Sequence, residues 1–191
     1  MQAPCATLRQ HQQRWVEAFD EFEARHPEQA EVAARFRTFA REHPDAAQRE
    51  LRIGHLTGSA WLVSADGRRV LLTHHRKLNR WLQPGGHADG DPDLAAVALR
   101  EAEEETGLRD LTVDPKPFDL DVHLIPARGH EPEHWHYDVR FLVRATASEV
   151  FTVSEESHAL AWRGIEDVAA DATIDPSVRR MARRWLDRTM E

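Results

Sequence analysis

The sequence predicts an α+β fold, on three observations. Apolar residues recur at helical spacing near both ends of the chain, the stretches between alternate apolar with polar residues as strands do, and one acidic helix framed by glycines interrupts that alternation. Taken together they place helices on a sheet that needs covering.

The elements follow in order. Residues 6–25 carry Leu8, Trp15, Phe19 and Phe22 at helical spacing, and residues 28–42 repeat the pattern with Val32, Phe36 and Phe39; Pro27 and Pro44 punctuate the two. This reads as an N-terminal helical hairpin occupying a segment 1–50. Its aromatic stripe is core material, suited to packing or to a homodimer contact. A second unit, 51–191, begins where the period changes. Residues 56–63 and 70–72 read as strands joined through Ala65-Asp66-Gly67, an Asp-Gly hairpin turn. Asp91 is placed to cap the acidic helix, with Pro92 at its first position, where a missing N–H costs nothing.

After that helix, residues 117–126 place Phe118, Leu120, Val122 and Leu124 on one face and Asp119, Asp121 and His123 on the other. A polar loop, 127–133, leads to residues 134–143, where Trp135, Tyr137, Val139, Phe141 and Val143 oppose His134, His136, Asp138 and Arg140. The pair predicts a hairpin on a half-buried antiparallel sheet, with a second face rich in imidazole and carboxylate. Asp175-Pro176 starts a last helix along Val178, Met181, Trp185 and Leu186, and its arginines, Arg179, Arg180, Arg183, Arg184 and Arg188, are available to answer acidity elsewhere.

Composition narrows the function. A chain of 191 residues suits one domain with an appendage, and a net charge of −8 argues against a nucleic-acid polymer as partner. No apolar run approaches the length of a membrane span, and the opening residues lack a signal-peptide pattern, so a cytoplasmic location is expected. Cys5 is the single cysteine, which excludes intramolecular disulfides and four-cysteine zinc sites.

The chemistry sits in Arg100-Glu101-Ala102-Glu103-Glu104-Glu105-Thr106-Gly107-Leu108, entered through Pro84-Gly85-Gly86. At about 100° per residue, Glu101, Glu104 and Glu105 share one ridge of a helix, while Glu103 points elsewhere. Like charges held this close call for a cation between them, and hard divalent ions prefer carboxylate oxygen. Mg2+ or Mn2+ is the expected cofactor. Magnesium keeps coordination positions open for phosphate oxygens, which points to a small-molecule diphosphate as substrate.

In this segment the sequence resembles the Nudix (MutT-like) hydrolases. It matches their signature at Gly86, Arg100, Glu101, Glu104, Glu105, Gly107 and Leu108, has Ala102 in the first apolar slot, and departs once, with Pro92 where the signature has its first Glu. The resemblance implies an α/β/α sandwich with a mixed sheet over residues 51–191. It implies hydrolysis of a phosphoanhydride in a nucleoside diphosphate derivative, with the Gly85 carbonyl as a further metal ligand and His87 facing the site. It also implies one more acidic residue from a later loop, for which Glu155 and Glu156 are the candidates. Arg100 would orient Glu101, which doubles as the candidate base. Arg76 and Lys77 complement a polyanion, and His123, His136, Asp138 and Arg140 are available to the leaving group. Two other readings stay open at this point: a noncatalytic nucleotide sensor of the same fold, and a histidine-based metallohydrolase using His123, His134 and His136. An isomerase of the same fold would need a catalytic cysteine in the core, and Cys5 lies in the helical preface.

Overall fold

The computed structural model describes residues 5–76, 79–129, 132–153 and 157–188. The helical preface is α1, Cys5–Arg25, a 3₁₀ turn at Pro27–Gln29, and α2, Ala30–Glu42. Its aromatic stripe turns inward: Phe19, Phe22 and Phe36 are fully buried, Phe19 meets Phe36 edge-on at 5.0 Å, and Phe39 stacks on Tyr137 at 3.9 Å. Each such side chain contributes about 1.5–3 kcal/mol by leaving water. The hairpin therefore shares a core with the sheet, reaching Leu56, Leu120, Val139 and Phe141.

The remaining strands are β1 Gly54–Val63, β2 Arg69–His75, β3 Arg80–Leu82, β4 Gly85–His87, β5 Leu111–Ile125, β6 His134–Ala145 and β7 Ser157–Gly164; the helices are α3 Leu94–Thr106, α4 Ile165–Ala170 and α5 Pro176–Arg188. They form one mixed sheet. β1 runs parallel to β6 over its whole length, β6 is antiparallel to β5, β4 pairs antiparallel with β1, and β2 pairs with β3 and β7. Residues of β1 sort by parity. Leu56, Ala60 and Leu62 face α1, α2 and α3, whereas Trp61 and Val63 face α4 and α5. The result is the expected sandwich of helices on both faces of a mixed sheet.

Three local expectations change. The cap of α3 is Asp93, not Asp91: its side chain accepts the Ala96 N–H at 3.1 Å, and Asp91 accepts the Asp93 N–H at 2.9 Å one turn earlier. Pro92 thus sits in the approach rather than in the helix, and its carbonyl accepts from Trp15 Nε1 at 2.9 Å, tying the preface to the helix start. In β5 the register shifts between Val113 and Pro117 and again between Pro117 and Asp119, so Phe118 packs beneath α5 with Trp61 while Leu120 packs on the opposite face. Strict alternation failed there because an irregular residue inverts every side chain before it. Finally, the polar face of β5 and β6 is covered rather than open, since Asp119, Asp138 and Arg140 are buried.

Candidate active site

The acidic ridge is built by local rules. Asp93 caps α3, its apolar face buries Leu94, Val97, Ala98 and Ala102, and Gly107, at φ 69°, ends it by returning its N–H to the Glu103 carbonyl. Only the outward positions are left for carboxylates. Glu101 is largely covered, Glu105 half-buried and Glu104 exposed. β4 lies across this ridge. The Gly85 N–H donates to Glu105 Oε1 at 2.8 Å, and a Cβ built on Gly86 would collide with the Glu101 carboxylate. Glycine at 86 leaves the Glu101 carboxylate the space that a side chain there would take, so a larger residue fits only if that carboxylate moves.

Arg100 joins the two elements. Its Nη2 lies 3.5 Å from Glu101 Oε1 and donates to the His87 carbonyl at 3.4 Å, and its Nη1 lies 3.6 Å from Asp91. Glu103 points away, toward Arg109 at 3.9 Å. Within α3, helical spacing puts Glu101, Glu104 and Glu105 on one side and Glu103 on another. An oxygen-only donor set, partly open to solvent and backed by a glycine strand, fits a hard divalent cation.

The other anticipated residues divide. His87 is on β4 beside the ridge, and Arg76 is exposed just after β2. Lys77, Glu155 and Glu156 lie outside the described residues. Asp138 and Arg140 turn inward. Asp138 accepts from Thr57 at 3.0 Å, Ser59 at 2.9 Å, Gln83 at 3.2 Å and Arg140 Nε at 2.8 Å. Arg140 also reaches Asp119 and Asp121, each at 3.3 Å.

From α5, Arg180 donates to Asp119 at 2.7 and 3.0 Å, and Arg184 donates to it at 2.8 Å. Burial would lower the Arg140 pKa, but Asp138, Asp121 and Asp119 outweigh it and raise the value. Burial would likewise raise Asp121; the hydrogen bond from His123 and the charges of Arg140 and Arg180 hold it well below the usual carboxylate range.

Beyond this network the same face carries imidazoles. In the register, His55 pairs with His136, which pairs in turn with His123, and His87 lies opposite Thr57. Ring centroids stand 4.8 Å apart for His55 and His136, 5.0 Å for His55 and His87, and 5.1 Å for His87 and His136. Burial is the chief cause that pushes His136 down to about 2, with His55 and His87 adding to it. Burial, then His87 and His134, push His55 down to about 4 against an upward pull from the Leu51 carbonyl. His55 and His136 are therefore neutral at pH 7. His55 was not anticipated. The signal for it was the alternation of His55, Thr57 and Ser59 against Leu56, Gly58 and Ala60.

With the fold and ridge in place, comparison with known proteins is direct. The family model of the NUDIX domain matches residues 55–185, and the chain belongs to the Nudix hydrolase family. A 57-residue stretch is 44% identical to the Xenopus laevis protein named m7GpppN-mRNA hydrolase NUDT17; the match covers 27% of this chain, which spans only about 19% of that relative's length.

Among solved structures, a C. elegans Ap4A hydrolase binary complex aligns with a TM-score of 0.56 at 18% identity, over 71% of this chain and 97% of that one. A NUDIX-family hydrolase from Clostridium perfringens aligns at 0.54 and 24% identity, over 72% and 98%. These likenesses show the fold.

Proposed function

We propose that the protein is a divalent-cation-dependent hydrolase that cleaves a phosphoanhydride in a nucleoside diphosphate derivative or related compound. The observation that carries this reading is the ridge of Glu101, Glu104 and Glu105 with Gly85 and Gly86 laid against it. Glu101, Glu104 and Glu105 would hold Mg2+ or Mn2+, with the Gly85 carbonyl as a further oxygen donor. When bound, such an ion supplies Lewis acidity, making water a better nucleophile near pH 7 and offsetting charge on phosphoryl oxygens.

The chain's own groups do the rest. Arg100 fixes Glu101 against β4, which keeps that carboxylate in one orientation as the base toward attacking water. Glu104 faces solvent, where a polyanion can approach. Most of the acceleration in phosphoryl chemistry comes from such positioning and electrostatics. Survival of all three carboxylates favours an enzyme over a sensor of the same fold, and the name of the Xenopus relative favours a nucleotide substrate.

We further infer that segment 1–50 is a packed cover on the Nudix domain 51–191, because its aromatic stripe is consumed in the shared core. Among the described residues no helix is long and apolar enough to cross a membrane. The direct test is a Mg2+-dependent hydrolysis screen over oxidised nucleotides, dinucleoside polyphosphates, capped RNA, nucleotide sugars and coenzyme A. Product masses identify the bond. Turnover that persists in excess chelator, or no turnover across the panel, defeats the reading.

A further inference from the structure

Separate from the ridge, one cluster of side chains has the composition of a metal site without any oxygen. Ligand atoms of His55, His87 and His136 all come within 4.8 Å of one another, on three different strands. His55 is only 3% exposed, and neither of its ring nitrogens makes a hydrogen bond of good geometry, although the Leu51 carbonyl lies close enough to pull on the ring. A buried imidazole left in that state forfeits about 1–3 kcal/mol unless something in its surroundings satisfies it.

His134 enters the same cluster: its ring stands 5.0 Å from His55, and its Nε2 is 3.2 Å from Nε2 of His136. Two nitrogens bound to one tetrahedral zinc, at about 2.0–2.1 Å each, lie roughly 3.4 Å apart. The spacing of that pair is therefore already near a coordination edge. The outer contacts agree, since His134 Nδ1 is 2.9 Å from the Pro132 carbonyl. A hydrogen bond there fixes the tautomer that leaves Nε2 free to coordinate.

We propose that His55, His87 and His136, with His134 as a fourth imidazole, form a site for a nitrogen-preferring divalent transition metal such as zinc. The donor chemistry separates this site from the ridge, because imidazole selects zinc-like ions and carboxylate oxygen selects magnesium-like ones. Its position gives it a consequence. The metal would join β1, β4 and β6, and β4 is the strand whose Gly85 and Gly86 contact Glu105 and Glu101. The site is thus a clamp behind the catalytic ridge, and it stands whether or not the diphosphate reading does.

The test uses the full chain, expressed without a polyhistidine tag and stripped with chelator, then titrated with Co2+ and with Zn2+ in competition. Visible ligand-field bands of Co2+ report tetrahedral nitrogen coordination independently of turnover. The expected result is saturation near one equivalent, displacement by Zn2+, and a higher melting midpoint with Zn2+.

His55→Gln and His136→Gln should each weaken binding by more than the roughly 10–100-fold that loss of an outer-shell partner costs. Glu104→Gln should leave the bands in place. If His55→Gln does not fold, His87→Gln carries the same expectation from a half-buried position. Absence of a saturable band in the wild type, or bands of undiminished affinity in His136→Gln and His87→Gln, overturns the proposal and leaves a stack of imidazoles.

Discussion

Two groups of carboxylates in this molecule have the same chemistry and opposite surroundings. Asp119 is fully buried and takes donors from three guanidiniums, those of Arg140, Arg180 and Arg184, so its charge is answered from β6 and α5. Glu104, on the ridge, is exposed and has no ion-pair partner among the described residues, while Glu101 and Glu105 rest against the glycines of β4. The first group is a finished structure, because a buried charge must be paired to be tolerated. The second is open to solvent at Glu104, as the proposed ion site requires. Burial and the identity of the neighbours, rather than the carboxylate itself, divide scaffold from site.

The largest expected effect breaks that contrast on the ridge. Glu104→Gln should fold with an unchanged melting midpoint yet lose about 10²–10⁴-fold in turnover, measured on the substrate found in the screen. Equal turnover in this variant would remove Glu104 from the site. The complementary change is Asp119→Asn, which leaves three buried or half-buried guanidiniums short of an anion. Urea unfolding should report a loss of about 3–5 kcal/mol. A loss below about 1 kcal/mol would mean that the arginines find other partners.

Gly86→Ala sharpens the comparison by moving a ridge carboxylate without changing its charge. The added methyl displaces Glu101, and turnover should fall by roughly 10²-fold with little change in stability. Parent-like kinetics would show that the orientation of Glu101 is unimportant. The smallest effect concerns His26, at the edge of the arginine network, whose pKa is pushed down to about 4 by burial, with Arg184 adding to it. Because the folded value lies below the ordinary 6.5, the unfolded chain binds the proton more readily. Its contribution is complete above about pH 6.5 and is lost as pH falls toward 4. His26→Gln should flatten that part of the pH dependence of the urea midpoint; an identical slope would place the titration elsewhere.

Much of the site was legible because its geometry is local. Glu101, Glu104 and Glu105 fall on one ridge by helical spacing alone, and the terminating Gly107 and the Asp66-Gly67 turn are written in single residues whose backbone preferences hold in any context. The aromatic stripes of α1 and α2 likewise announced which face would be covered.

Neighbourhood across the sheet was another matter. Asp93 rather than Asp91 caps α3, and the Pro92 carbonyl between them accepts from Trp15, far earlier in the chain. Phe118 and Leu120 parted because a bulge inverted the strand. Asp138 and Arg140, which looked available, found each other, and Arg140 shares Asp119 with the arginines of α5. His55 and His87 met His136 only through the parallel pairing of β1 with β6 and the short β4 strand. Helical periodicity and turn chemistry act over a few residues and are encoded where they act. Strand order, register and the pairing of buried charges are settled by packing between distant segments, so the sequence determined the acidic ridge and the tertiary structure alone decided what lies behind it.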